Sequence, residues 1–126
     1  MLLEQSRDLR SLYVNLSYMD PASFDANKDR VVEQLEAQLK KLEAFASRRQ
    51  INVGAHIYLL GELTFVDIVY TDLLEQLEAL EPGLVSDHTR LLAVMSAVQC
   101  LPRIQEYKAS ANYVDHPYNN LSAAFR

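Results

Sequence analysis

Apolar residues along this 126-residue chain recur three and four positions apart, and that spacing predicts helices almost throughout. Leu2, Leu9, Leu12, Tyr13 and Leu16 fall on one stripe of a first helix running from about Leu2 to Tyr18, with Glu4, Arg7, Asp8 and Arg10 mostly on its other sides. Met19-Asp20-Pro21 stops it, because proline lacks an amide donor and disfavours helical geometry in the residue before it. A second helix is predicted from roughly Ala26 to Ser47. Val31, Val32, Leu35, Leu39, Leu42 and Phe45 face inward, and Glu33, Glu36, Lys40, Lys41 and Glu43 form a solvated face. Arg48 to Leu63 reads as a connection containing Gly54 and Gly61, within which the apolar run Ile57-Tyr58-Leu59-Leu60 is expected to pack as a short turn.

The third helix opens with the clearest local signal in the chain. Thr64-Phe65-Val66-Asp67 has the spacing of a capping box. The Thr64 hydroxyl can accept from the Asp67 amide, and the Asp67 carboxylate can reach back to the Thr64 amide. Leu63 before the cap and Ile68 after it have the spacing of a hydrophobic staple. Phe65, Val66, Ile68, Val69, Tyr70, Leu73 and Leu74 wrap most of the way round, which predicts a helix central to its bundle. Glu81-Pro82-Gly83 ends it. A fourth helix follows from about Ser86 to Cys100, and Pro102 suits the first turn of a short fifth reaching about Ser110. Residues from Ala111 onward read as a tail lying over the surface. With no repeat, linker or low-complexity tract, residues 1–126 read as one all-α domain of about five helices.

Composition narrows the partners. Hydrophobic residues make up 49% of the chain, enough for a sizeable core. A net charge of −5 argues against nucleic acid or an anionic membrane as the main partner. A single cysteine, Cys100, excludes an internal disulfide and fits a reducing, cytoplasmic setting. The charged start does not match a signal peptide, and no stretch approaches the roughly 18 apolar residues that span a bilayer.

Autonomous chemistry is hard to find in this pattern. His56, His88 and His116 stand in three separate connections without a second ligand one turn away, so they read as exposed loop histidines and no metal site is expected. Cys100 reads as a buried, inert thiol, with no basic neighbour in sequence to lower its pKa. Asn15-Leu16-Ser17 and Asn120-Leu121-Ser122 match the glycosylation sequon by chance in a chain without a secretion signal. Asp67 could serve as a buried acid or base, but a capping role accounts for it fully. Asp72 is a candidate second buried anchor. Phosphate loops and Ser-His-Asp sets are absent from the sequence.

The block around the capping box resembles a known family. Thr64-Phe65-Val66-Asp67-Ile68 with Asp72 and then Glu81-Pro82 is similar to the core helix in the second domain of soluble glutathione S-transferases. Asp8-Leu9-Arg10 followed by Tyr18, Pro21 and Phe24 resembles the mu-class segment that opens this domain. Ile104, Tyr107 and Ser110 with Tyr113 and Pro117 resemble that class's last helix and tail, including helminth- and arthropod-type members. The resemblance runs in one register over essentially the whole chain.

It implies an all-α second domain without the thioredoxin-like first domain that holds glutathione and stabilises its thiolate. No cofactor is implied beyond glutathione as co-substrate. Asp8 matches the aspartate that crosses a homodimer interface to the γ-glutamyl amine of glutathione, where a carboxylate gives a charge-assisted hydrogen bond. Tyr18 matches the tyrosine whose hydroxyl points into the site for a hydrophobic electrophile, and Asn119 falls where the tail lines that site. Read from the residues alone, Asp8 is equally a surface ion-pair member between Arg7 and Arg10, and Tyr18 a packing residue.

The chain departs from the family pattern in three connections. Gly61 to Thr64 is a residue shorter, His88-Thr89-Arg90 replaces a Phe-Pro step, and Cys100-Leu101-Pro102 replaces a glycine-containing turn. Two functions remain: the electrophile-pocket and dimer domain of a mu-like transferase, inactive alone, or a non-catalytic scaffold of the same fold for apolar ligands or protein partners. An orphaned apolar face at the docking site of the first domain is the expected physical mark of the former.

Overall fold

The computed structural model describes residues 2–51 and 57–126. Gly54 and His56 lie outside the described residues. Five helices follow in order, α1 (Leu2–Ser17), α2 (Pro21–Arg48), α3 (Phe65–Leu80), α4 (Thr89–Gln99) and α5 (Pro102–Lys108), with no strand among the described residues. The all-α expectation holds.

The first four helices close a ring. α1 packs on α2 and α3, α4 packs on α2 and α3, and α5 attaches to α4. Inside the ring one continuous apolar cluster joins Leu9, Tyr13 and Leu16 of α1 to Leu35, Leu39 and Leu42 of α2, Leu73, Leu74 and Leu77 of α3, and Leu91 and Val94 of α4. These are the stripes that the helical period selects. Tyr70 adds a polar tie, its buried hydroxyl donating to the Leu2 carbonyl at 2.6 Å.

Helix starts differ from the sequence reading where carboxylates intervene. α2 begins at Pro21, five residues ahead of the expected Ala26, because Asp20 is an N-cap. Its carboxylate accepts the Ser23 amide at 3.0 Å and the Ser23 hydroxyl at 2.6 Å, and Pro21 brings its fixed φ to the first turn. At its other end α2 stops in a Schellman arrangement. Gln50 sits at φ 55°, its amide bonds the Ser47 carbonyl, and the Ile51 amide bonds the Ala46 carbonyl.

α4 begins at Thr89, not Ser86. The Glu78 carboxylate holds the intervening loop open by accepting the amides of Gly83 and Val85 at 2.7 Å and of Ser86 at 3.1 Å. Gly83 supplies the left-handed φ of 96° that this turn requires. α4 carries no side-chain cap of its own. Glu43, projecting from α2, takes that role by accepting the Arg90 and Leu91 amides, each at 3.1 Å.

Three further expectations are corrected. His88 is no exposed loop histidine: it is 7% exposed and its Nε2 lies 3.1 Å from the Glu36 carboxylate. Glu36 and Glu43 stand two turns apart on α2, so one face of that helix holds both His88 and the first turn of α4. Cys100 is exposed rather than buried, since its helix ends there and turns the residue to solvent. Asp72 is not a buried anchor: it sits on the outer side of α3 and pairs with Arg10 of α1 at 3.0 Å, both side chains well exposed.

Candidate functional site

The capping box organises the start of α3. Asp67 is fully buried. Its Oδ2 accepts the Thr64 amide at 2.9 Å and faces the Thr64 hydroxyl at 3.3 Å. Its Oδ1 accepts the Leu59 amide at 2.9 Å. The carboxylate thus closes the preceding connection as well as its own helix, and the Leu59 side chain is buried in the apolar core. The rest of this stretch faces out. Phe65 is 63% exposed and Ile68 45%, so α3 is open on one side rather than enclosed, and Leu60 and Leu63 are exposed beside them. Leu2, Leu3, Phe45, Leu60 and Val66 line an adjacent hollow of about 440 Å³ with Arg49 at its edge.

At the far end of α1 the tail folds back. The Ser17 carbonyl, one of the last-turn carbonyls that a helix leaves unpaired, accepts the Ala124 amide at 2.7 Å. Ala123 is buried there. The Phe125 ring meets the Tyr13 ring edge-on, with centroids 6.0 Å apart. Asn119 donates through Nδ2 to the Tyr13 hydroxyl at 2.8 Å and to the Phe125 carbonyl at 2.9 Å. The Asn120 amide donates to the Tyr18 hydroxyl at 3.3 Å. Burial pushes the Tyr13 phenol up, against the opposing hydrogen bonds of Asn119 and Ser17.

At this end of the bundle the tail thus sets Asn119 on Tyr13 and its neighbour Asn120 on Tyr18. The Tyr18 side chain is 41% exposed, and its hydroxyl, already accepting from Asn120, keeps its own proton available to a group arriving from solvent. Asn119 spends one amide hydrogen on Tyr13 of α1 and the other on the Phe125 carbonyl of the tail. Asp8 stands apart, about 15 Å of helical rise before Tyr18, exposed on the outer side of α1.

A second polar groove, of about 340 Å³, runs beside this end between α3, α4, α5 and the tail. Glu75 accepts from Gln99 at 2.8 Å and from Lys108 at 2.9 Å, and the Lys108 ammonium lies 5.6 Å from the Tyr113 ring centre. Burial acts to lower the Lys108 pKa, but the bond and charge of Glu75 outweigh it and hold the ammonium above its ordinary value. The sequence gives no sign of this cluster, as its members are spread over three helices and the tail with no local motif. Among the described residues no group of three or more His, Cys, Asp or Glu side chains could hold a metal ion.

The chain belongs to the glutathione S-transferase C-terminal domain family, whose model matches residues 7–111. Among the relatives, human glutathione S-transferase P is 32% identical over 120 residues, which are 94% of this chain and 54% of that protein. Glutathione S-transferase Mu 5 of Mus musculus is also 32% identical over 120 residues, 94% of this chain and 50% of its own length. The chain thus spans about half the length of the curated relatives it matches. P and Mu relatives are alike in identity, so what is established is the domain family that both share. No helix of the described residues is long and apolar enough to cross a membrane.

Proposed function

We propose that residues 1–126 are one helical domain that forms the electrophile pocket and dimer interface of a mu-like glutathione transferase acting in cytoplasmic detoxification. The mu assignment rests on the blocks around Asp8, Tyr18 and Tyr113. The observation that carries the functional reading is the meeting of Tyr18 with the tail: a half-exposed phenol whose oxygen accepts the Asn120 amide, which leaves its own proton to donate.

In this reading the thiolate of glutathione attacks a hydrophobic electrophile by substitution or addition. The Tyr18 hydroxyl donates to the electrophile oxygen that gains charge in the transition state, which accelerates the step only if the donor is already in place. Asp8, exposed on α1, accepts the cationic γ-glutamyl amine of glutathione held by the other subunit of a homodimer. Activation of the thiol belongs to a thioredoxin-like domain. The exposed Leu60, Leu63, Phe65 and Ile68 beside the apolar hollow supply a face for that domain. Nucleic acid and membrane have no part.

Titrating glutathione into the purified chain by calorimetry and assaying conjugation of chlorodinitrobenzene tests this division of labour. Silence in both is expected. Binding with turnover would mean that these residues activate the thiol themselves, and the assignment would fall.

The same exposed apolar face favours a second reading, a non-catalytic binder of apolar ligands or protein partners. Self-association or partner binding through Phe65 and Ile68, with no gain of activity from any thioredoxin-like domain, would favour it over the first.

A further inference from the structure

We propose that Asn119 is a positioning residue: by bonding the buried Tyr13 it fixes residues 118–126 as a strap whose Asn120 amide sets the Tyr18 hydroxyl. This rests on the transferase reading only for what that hydroxyl does to a substrate.

The strap is built at both ends. Tyr13 has no exposed surface, so its hydroxyl oxygen is a fixed acceptor inside the bundle. Asn119 is the side chain that reaches it, and the same Nδ2 also closes the strap on itself at the Phe125 carbonyl. The Tyr118 amide meets the Arg126 carbonyl at 2.6 Å, making residues 118–126 a closed loop. Its returning limb is pinned where Ala124 donates to Ser17 and Ala123 is buried. Next to Asn119 in sequence, the Asn120 amide can reach Tyr18 only while this loop is seated.

Two roles are thereby separated. Tyr18 faces solvent and takes a ligand, whereas Asn119, with both amide hydrogens directed inward, acts through its neighbour. A hydrogen bond onto the phenol oxygen also draws electron density from the O–H bond, making the hydroxyl a better donor. An ordered tail of this kind costs conformational entropy, and the Asn119–Tyr13 bond joins the Ala124–Ser17 bond in tying it to the rigid part of the protein.

The test reads individual amides by hydrogen exchange in the full chain, with ring-carbon resonances from labelled tyrosine. In Asn119→Ala, which removes two hydrogen bonds, exchange at Asn120 and Ala124 should rise about tenfold or more, and the Tyr18 ring-carbon signal should move although Tyr18 is untouched. Tyr13→Phe should move the same signals in the same direction, and the double variant should go no further than Asn119→Ala alone. Tyr18→Phe should speed exchange at Asn120 and leave Ala124 protected. Unchanged exchange in Asn119→Ala, additive effects with Tyr13→Phe, or an unmoved Tyr18 signal would each overturn the proposal. None of these readouts uses turnover, so a failure of the transferase reading would leave the strap result standing.

Discussion

The fully buried Asp67 carboxylate of α3 accepts the amide of Leu59 at 2.9 Å, eight residues earlier in the chain. Its other oxygen takes the Thr64 amide, so one side chain fixes both the entry of α3 and the turn that precedes it. Removing it strands two backbone donors, one of them buried. Asp67→Ala should therefore destabilise the fold by about 3 kcal/mol, the scale of lost hydrogen bonds to a charged group. Thr64→Ala should cost only about 1 kcal/mol, since the carboxylate still holds the Thr64 amide. Denaturant unfolding of both variants checks the order, and an equal loss would contradict the assignment.

Glu43 performs the corresponding task from a distance. Because α4 has no cap of its own, the Arg90 and Leu91 amides depend on a carboxylate projected from α2. Glu43→Ala should lower stability by about 1–2 kcal/mol, as loss of an ordinary N-cap does. The unfolding midpoint should fall with little change in its slope. By contrast the Arg10–Asp72 pair is exposed on both sides, and Asp72→Ala should change stability by less than about 1 kcal/mol.

The loop between α3 and α4 should respond to acid through Glu78. Burial pushes this carboxyl up, but the bonds from Gly83, Val85 and Ser86 outweigh it and hold the pKa below the ordinary carboxylate value. A lowered folded-state pKa contributes stability that is present above the unfolded value and is lost as pH falls through the folded one. Glu78→Gln should therefore be less stable than the parent at neutral pH, and the gap should close in the acid range below the ordinary glutamate value. Thermal unfolding followed over pH measures this, and a gap independent of pH would contradict it.

At high pH the buried phenols act in the opposite direction. Burial raises both Tyr13 and Tyr70. A raised tyrosine favours the folded state below its unfolded value of about 10 and loses that contribution as pH rises above it. Tyr70→Phe should weaken the protein at neutral pH, through the lost bond to the Leu2 carbonyl, and flatten the alkaline fall. An unaltered alkaline transition in that variant would count against the assignment.

Helix period and turn residues made the architecture legible. The inward stripes on α1 and α2 and the capping box at Thr64 are local patterns, and a local pattern can be read directly from the chain. What escaped notice depends on residues distant in sequence. Nothing near His88 in sequence indicates that Glu36 will pair with it, or that Glu43 will cap the α4 start at Thr89. The Glu75–Lys108 contact is hidden for the same reason. At the site, resemblance indicated Tyr18 and Asn119, but only the folded tail reveals that Asn119 turns its amide onto Tyr13 while its neighbour Asn120 reaches Tyr18. The apolar run at Phe65–Ile68 misled in another way: its period is that of a central helix, yet half of it faces outward.

Reconstitution with a glutathione-holding domain tests the central claim most directly. Fusing such a thioredoxin-like domain ahead of this chain and assaying conjugation of chlorodinitrobenzene should give turnover. Tyr18→Phe should lower kcat, and Asp8→Asn should raise the KM for glutathione. A folded, dimeric fusion without activity, or with activity indifferent to both substitutions, would contradict the assignment of these residues to a transferase site.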